Sequence, residues 1–368
     1  MKKLYSAVIA LCMLLSGCTG AESDPDPVVT QPTQTATVPV TVPATVPTEP
    51  APEDDLPEIY TNPLNGEILD KPFSNRIFAV SVNNLEASLP HVGVVDADIY
   101  MEMYVNGSII RSLALYSDIQ NVKSIGSVRS SRLIFNDLAQ RYDAFLVHAG
   151  GSTPVMTDVS QRGLDHRNID TGDATDHSFR DFDRRDNGYA WEHCLFAKGE
   201  GIYNDAKAKG MAASENPGRD YGLTFTEDAT PANGTDAGEI TVKIATNEGA
   251  SKKSILTYSA DHGGYLRSQY GKTMTDGITG EPEIYQNVIV MLVKTTTTED
   301  GYHQAEFTQA GTGDGYFACG GKMIPIRWQC DGDGQPFRFL TGDGQPLDLN
   351  VGRTYMAIAG LKSSVSCQ

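Results

Sequence analysis

The chain has 368 residues and a formal net charge of −18. Its 40% hydrophobic content is too high for a wholly disordered protein. The sequence contains no run of about 20 apolar residues, so it predicts no ordinary membrane-spanning helix. Because 47 acidic residues stand against 29 basic ones, the composition disfavours a nucleic-acid partner, which needs a basic surface for phosphate contacts. Composition and charge alone indicate no reaction.

The first residues have the pattern of a bacterial secretion signal. Two lysines precede an apolar stretch, Leu4 to Leu15, that is too short to span a membrane and remain there. The following Leu15-Ser16-Gly17-Cys18 resembles the bacterial lipobox, which implies cleavage before Cys18 and lipid attachment to it. Residues 1–17 are therefore predicted to be a lipoprotein signal peptide, with a conventional secretory signal as the alternative. Lipid on Cys18 would anchor the chain at the extracytoplasmic face of the bacterial cell membrane.

A proline- and threonine-rich segment follows the predicted lipidation site. It contains the near-repeat Val38-Pro39-Val40-Thr41-Val42-Pro43 and has no aromatic residue up to Leu56. Such a composition cannot bury a core, and repeated proline favours an extended spacer. Residues 18–56 are predicted to form the lipidated cysteine and a disordered tether.

The rest of the chain predicts an α+β protein with two domains. Some 310 residues exceed one typical core, and turn signals cluster between Met211 and Gly238. We therefore expect an N-terminal mixed α/β domain over residues 57–225 and a largely antiparallel β domain over residues 226–368.

Apolar runs in the N-terminal domain alternate with helical patterns. Asn106-Gly107 is typical of a hairpin turn, and a second helix is expected to open at Ser152 or Thr153, with Pro154 in its first turn. The predicted strands and the first helix are 77–82 (strand), 97–105 (strand), 109–116 (strand), 130–142 (helix) and 144–147 (strand).

Two segments of this domain predict an anion-binding pocket. One runs from a strand through His148 and two glycines into a helix N-terminus, where free N–H groups and the helix dipole favour phosphate or carboxylate. The other is an arginine-rich loop that precedes or opens a helix, and strand ends of open α/β sheets commonly bind ligands. The candidate ligand-binding residues are Arg129, Ser130, Arg132, His148, Gly150, Gly151 and Ser152.

The same residues allow other interpretations. The glycines could form only a turn and a helix cap, and the arginines could pair only with Asp137 or Glu102. Arg180, in a mixed-charge loop, could face the pocket, although a solvated surface is the favoured interpretation.

Catalytic and metal-binding patterns are incomplete. Pro154 occupies the place of the second glycine in a nucleophile elbow. The acid–histidine pairs at 165–166, 176–177 and 192–193 match no standard zinc spacing, so neither a metal site nor a cofactor is predicted. Cys194 is interpreted as a buried apolar residue. His148 remains the candidate catalytic residue.

From residue 239 the pattern becomes that of β-strands. Asp331-Gly332-Asp333-Gly334 is interpreted as a hairpin turn, because the rest of a calcium-loop pattern is missing. If Gly320-Gly321 is also a turn, Cys319 faces Lys322 and Cys330 faces Gly311. The sequence does not decide whether Cys330 and Cys367 form a disulfide. The predicted strands are 240–245, 254–258, 264–270, 288–294, 303–309, 315–319, 322–329, 336–340 and 354–358.

Several motifs of the chain resemble those of the YerB-like lipoproteins. This family consists of secreted or lipid-anchored proteins, chiefly of Gram-positive bacteria, and the resemblance implies two adjacent domains of unknown function and no established activity. The present sequence departs from the family pattern at Ile110, at Ser127 and at Glu192-His193-Cys194. The matching motifs are Asn62-Pro63-Leu64-Asn65-Gly66, Ala97-Asp98-Ile99-Tyr100-Met101-Glu102, Gly126-Ser127-Val128-Arg129-Ser130-Ser131-Arg132 and Val147-His148-Ala149-Gly150-Gly151-Ser152.

The leading hypothesis is a lipid-anchored extracytoplasmic binding or accessory protein of the cell envelope, whose partner is an anionic envelope ligand or an envelope protein. The alternative is an envelope hydrolase or transferase that uses His148 as general base, with Arg129 and Arg132 stabilising negative charge. A purely structural spacer is the third possibility.

Overall fold

A computed structural model describes residues 59–107, 109–170, 175–245, 249–298, 301, 303–305 and 311–368. The predicted signal peptide, the lipidation site Cys18 and the predicted tether lie outside these residues. Within them, no helix is long and apolar enough to cross a membrane.

Strands make up most of the regular structure. In chain order they are β1 (Tyr60–Thr61), β2 (Ile68–Leu69), β3 (Phe78–Val82), β4 (Ile99–Asn106), β5 (Ile109–Tyr116), β6 (Ile125–Gly126), β7 (Phe145–His148), β8 (His166–Asn168), β9 (Ser178–Arg180), β10 (Leu195–Ala197), β11 (Thr224–Thr226), β12 (Thr235–Asp236), β13 (Glu239–Ala245), β14 (Ser251–Ser259), β15 (Gly264–Gln269), β16 (Lys272–Thr273), β17 (Ile284–Tyr285), β18 (Asn287–Val293), β19 (Thr295–Thr297), β20 (His303–Ala305), β21 (Gly311–Cys319), β22 (Lys322–Cys330), β23 (Arg338–Leu340), β24 (Asp348–Asn350), β25 (Thr354–Gly360) and β26 (Ser364–Cys367).

The helices are fewer and short. The α-helices are α1 (Leu133–Arg141), α2 (Thr153–Arg162), α3 (Phe182–Asp186) and α4 (Gly199–Ala208). The 3-10 helices are Glu86–Ser88, Val94–Asp96, Ile119–Asn121, Trp191–His193 and Ala260–His262.

One large mixed sheet takes strands from both predicted domains. Its order is β12-β22-β21-β18-β25-β4-β5-β3-β7-β8, and β23 adds to β22. The two sets of strands meet where β25 pairs in parallel with β4, with Tyr355 opposite Tyr100. The boundary near residue 225 stays a prediction, and the sheet is continuous across it.

The large sheet lies between two other layers. Side chains on one of its faces, such as Val80 and Ala357, pack with Leu256 and Tyr265 of a smaller sheet of order β16-β15-β14-β13-β26. The other face, which includes Met101 and Leu113, packs with helical residues of α1 and α2 such as Phe135 and Val159. Because both faces are covered, β3 is buried at every residue.

The predicted α+β class and the order of its main elements are confirmed. Strand β5 has the predicted bounds Ile109–Tyr116. Ser152 is the N-cap of α2, and a proline stands in its first turn, as expected. The predicted helix over 130–142 is shorter, since α1 begins only at Leu133.

The cysteine register also follows the sequence prediction. Cys319 is opposite Lys322 and Cys330 is opposite Gly311 in the β21–β22 pair. Cys330 and Cys367 belong to hydrophobic clusters on different faces of the large sheet, and both are free thiols.

Candidate functional site

Three parallel strands end together at one edge of the large sheet. Strand β7 pairs in parallel with β3 and with β8. Their carboxyl ends therefore bring Asn83, the segment 148–152 and Asn168 to the same edge. In open α/β sheets this is the edge at which ligands bind.

The two loops of the predicted pocket lie side by side at this edge. The amide of Ala149 donates to the carbonyl oxygen of Arg129 at 2.9 Å, and that of Ser131 donates to the carbonyl of Gly150 at 2.9 Å. The amide of Gly150 also donates to Asn168 Oδ1 at 2.8 Å, which ties the loop after β7 to the end of β8. The backbone of the predicted site is thus one hydrogen-bonded unit.

The arginine side chains of the predicted site point in different directions. Arg129 Nη1 donates to the carbonyl of Glu192 at 3.2 Å, and Nη2 lies 3.5 Å from the carboxylate of that residue. Arg132 is buried and folds back on its own loop, where Nη1 donates to the carbonyl of Ser131 at 2.7 Å. Arg132 therefore supports the loop from within, whereas Arg129 lies towards the surface.

Asp137 and Glu102, the alternative partners that the sequence offered for these arginines, pair with other cations. Asp137 pairs with Arg141 at 2.8 Å, within α1. Glu102 pairs with Lys252 and Arg267 from the small sheet.

His148 is buried completely, and both of its ring nitrogens are engaged. Nδ1 lies 2.8 Å from the carbonyl oxygen of Gly150 and Nε2 lies 3.0 Å from Nδ1 of His166. Because a carbonyl only accepts, His148 carries its proton on Nδ1. Burial lowers its pKa to about 4, so the ring is neutral at pH 7. A buried, weakly basic imidazole gives no geometric support to the general-base role.

The remaining predicted residues shape the loop itself. Gly150 has φ of 72°, a left-handed conformation that favours glycine. Ser152 caps α2 without a side-chain capping bond, and within the described chain its buried Oγ has no hydrogen-bond partner. The carbonyl of Ser130 accepts from Arg111 Nη1 at 2.9 Å. Gly151 lies at the exposed turn into α2.

Arg180 lies beside Arg129 on the same surface. It donates to the carbonyl of Trp191 at 2.9 Å, the residue before the one that Arg129 contacts. Asp170 accepts from it at 2.8 Å. The side chains of both arginines are at most 19% exposed, whereas those of Asp170 and Glu192 are 48% and 57% exposed. The cations are held in place and their carboxylate partners are largely in solvent.

Two histidines of the acid–histidine pairs contact different residues of the site. His166 contacts His148, and His193 Nδ1 lies 2.8 Å from Asn83 Nδ2. Among the described residues, no three His, Cys, Asp or Glu side chains gather as a metal ion requires.

Sequence reasoning missed a second polar cluster, which lies between the two sheets. Its centre is Glu102 on β4, which is fully buried. The Glu102 carboxylate accepts from Asn84 at 2.6 Å, from Ser254 at 2.6 Å and from Tyr355 at 2.5 Å, and it also pairs with Lys252. Burial alone would raise the pKa of Glu102, but Lys252 and Arg267 together hold it well below its usual range.

A second buried carboxylate extends the cluster. Glu283 lies 2.7 Å from Arg267 Nη1 and 2.8 Å from Nδ1 of His91. The other ring nitrogen of His91 lies 2.9 Å from the carbonyl oxygen of Asn83. The two ring nitrogens of His91 therefore face a carboxylate oxygen and a carbonyl oxygen.

The cluster borders a cavity of about 500 Å³ at the edge of the small sheet. Lys252, whose side chain is 8% exposed, contributes the buried cation at this wall. No sequence pattern predicts this arrangement, because its charged residues come from β4, β14 and β15 and from loops far apart in the chain. The one signal in the sequence was Glu102 itself, because a glutamate within an apolar strand needs a buried partner.

The comparisons with known proteins agree with the fold. Residues 64–212 match the family model described as "Protein of unknown function (DUF3048) N-terminal domain". Residues 241–356 match "Protein of unknown function (DUF3048) C-terminal domain". The chain belongs to the DUF3048 family.

This DUF3048 chain is similar to YerB of Bacillus subtilis (strain 168), whose name describes it as a lipoprotein. The two are 29% identical over 304 residues, which cover 80% of this chain and 85% of the relative. The crystal structure of the YerB protein from Bacillus subtilis superposes with a TM-score of 0.70 at 26% identity, covering 83% of this chain and 99% of that one. The resemblance to YerB-like proteins that the motifs indicated is confirmed.

Proposed function

We propose that this DUF3048 protein is a lipid-anchored extracytoplasmic binding protein of the cell envelope, and that its ligand is anionic. The proposed contact surface consists of Arg129, Arg180 and the Gly150–Ser152 turn. The name of the Bacillus relative supports membrane anchoring, and the lipobox ending in Cys18 supports lipid attachment at that residue.

The observation that carries the proposal is the pair of restrained arginines at the carboxyl ends of three parallel strands. Arg129 and Arg180 donate to consecutive carbonyl groups, at 3.2 and 2.9 Å, so their guanidinium groups are positioned by the backbone. Nε of Arg129 is buried and has no hydrogen-bond partner in the described chain. Two guanidinium groups beside a helix N-terminus are suited to phosphate or carboxylate.

The local carboxylates do not prevent anion binding. Glu192 and Asp170 are about half exposed, and ion pairs of this kind contribute only about 0–1 kcal/mol. An incoming anion can therefore replace them at small cost while the arginines keep their backbone contacts.

The proposal is tested with a synthetic glycerol phosphate oligomer as the probe. The chain beginning at Thr19 is titrated with it in a calorimeter at low salt. We expect binding that Arg129→Gln weakens about tenfold, the effect of losing one charge-assisted hydrogen bond. The matched control is Arg185→Gln, since Arg185 is exposed and donates to the carbonyl of Tyr189, away from the loops.

Absence of binding by the unmodified chain would overturn the anionic-ligand proposal. An equal effect of Arg129→Gln and Arg185→Gln would overturn the assignment of the surface, because it would indicate nonspecific charge attraction. Increasing the salt concentration separates these cases further, since screening weakens nonspecific attraction first.

A further inference from the structure

We propose that the cavity beside Lys252 is a second ligand site, which takes a small organic monoanion with an apolar body and one carboxylate. This inference concerns a different surface from the proposed anion site and does not depend on it. The carboxylate would accept hydrogen bonds from the Lys252 ammonium group, and the apolar body would fill the cavity.

The size and lining of the cavity fit a small amphipathic molecule. Its volume of about 500 Å³ lies within the usual range for small-molecule sites. Apolar side chains of Leu85, Ile110 and Ile255 line it, together with Tyr270 and Lys252. Polar residues complete the lining, but most of the exposed wall is apolar, as is usual for a small-molecule site. These polar residues are Ser251, Lys253, Ser268 and Gln269.

Lys252 has donors to spare. Its ammonium group carries three N–H bonds, and in the described part of the chain Glu102 is its hydrogen-bond partner. The ring of Tyr270 lies with its centroid 5.6 Å from Nζ. The ammonium group can therefore donate to a ligand atom in the cavity without releasing Glu102.

The charge of the cavity lining favours an anion. Lys252 and Lys253 both line the cavity, and none of its described lining residues is an aspartate or a glutamate. A carboxylate in the cavity would therefore lie beside two lysines and no competing acid.

The pKa of Lys252 also favours a nearby anion. Burial lowers the pKa of Lys252 to about 8, in spite of its contact with Glu102. A further anion beside Nζ would stabilise the charged form, because an opposite charge within hydrogen-bond distance favours ionisation.

The test uses octanoate, octan-1-ol and hexadecanoate with the chain beginning at Thr19. Binding is measured by calorimetry for octanoate and octanol and by competition for hexadecanoate. Octanoate is expected to bind about tenfold or more tightly than octanol, which has the same body without the charge. Binding of octanoate alone would assign a short free acid, and binding of both acids would assign a lipid-derived chain.

Variants separate the cavity from nonspecific hydrophobic binding. Lys252→Met is expected to weaken octanoate about tenfold and to leave octanol unchanged. Lys243→Met is the matched control, since Lys243 is an exposed lysine on β13 of the same sheet and is not among the residues that line the cavity. Ile255→Trp keeps the buried charges and fills the cavity, so it is expected to abolish binding of both probes even if Lys252→Met fails to fold.

The inference is overturned if octanoate does not bind or binds no more tightly than octanol. Loss of binding in Lys243→Met with retention in Lys252→Met would also overturn it, as would full binding by folded Ile255→Trp. None of these outcomes affects the glycerol phosphate experiment, because Arg129 and the cavity are tested with different probes.

Discussion

The guanidinium group of Arg267 lies 2.7 Å from the carboxylate of Glu283, and both side chains are excluded from solvent. The same guanidinium group extends to Glu102 at 3.4 Å. Arg267 belongs to the small sheet and Glu102 to the large one, so buried charges join the two layers. A stabilising role is expected for this cluster only while every charge keeps its partners.

Glu102→Gln is expected to reduce the free energy of unfolding by about 3–5 kcal/mol, because it leaves Lys252 and Arg267 without one buried counter-charge. The measurement is the urea unfolding midpoint at pH 7. Glu227→Gln is the control, since Glu227 is exposed, and it should change the free energy of unfolding by less than about 0.5 kcal/mol. Equal midpoints for the two variants would show that the buried cluster contributes little.

Arg141→Met is expected to destabilise the fold by about 3–5 kcal/mol. Arg141 is buried and bonds to Asp137 at 2.8 Å, and it also donates to the carbonyl of Gln335 at 2.6 Å in the loop after β22. Its loss leaves the buried Asp137 carboxylate with the more distant Arg162, at 3.7 Å, as its counter-charge. The exposed Arg327→Met is the control, and thermal unfolding of both variants checks the difference. Similar melting temperatures would contradict the prediction.

His148 is expected to remain neutral at pH 5, because burial lowers its pKa to about 4 from 6.5. Between the pKa of the unfolded chain, 6.5, and that of the folded chain, about 4, the unfolded chain binds a proton on His148 that the folded chain does not. The free energy of unfolding therefore falls as the pH is lowered through this window. The contribution lost between pH 8 and pH 5 is about 2 kcal/mol. NMR titration of the imidazole nitrogens measures the pKa directly, and a midpoint near 6.5 would refute the buried geometry.

Octanoate affinity is expected to fall above about pH 8, where Lys252 loses its proton. The shifted pKa values of five other titratable groups around Lys252 keep each of them in one protonation state between pH 6 and 9: Glu102, Arg267, Glu283, Tyr270 and Tyr355. Calorimetric titration across this range tests the effect. An affinity that is flat to pH 9.5, or an equal fall in Lys252→Met, would contradict it.

Local patterns in the sequence predict much of the fold. The apolar run of β5 and the turn that precedes it identify a hairpin, and serine followed by proline identifies the start of α2. Helix α4 has no such signal, because Gly199 and Gly201 are poor helix formers. The structure supplies the reason for Gly201: a Cβ there would lie 2.0 Å from the carbonyl oxygen of Asp176.

The site is less predictable than the strands. The adjacency of the 129–132 and 148–152 loops follows from parallel strand ends, which a sequence pattern indicates. The direction of each arginine side chain cannot be predicted from the sequence pattern. Arg129 and Arg132 are three residues apart, yet one contacts Glu192 and the other the loop backbone. Glu102 and Lys252 are 150 residues apart in sequence, and only the packing of the two sheets brings them together.

The anionic-ligand proposal is tested most directly by NMR on the chain beginning at Thr19, labelled with ¹⁵N and titrated with the glycerol phosphate oligomer. We predict saturable shifts of the backbone amides of Gly150, Gly151 and Ser152 and of the side-chain Nε–H of Arg129. Shifts confined to other surfaces, or none at all, would contradict the account.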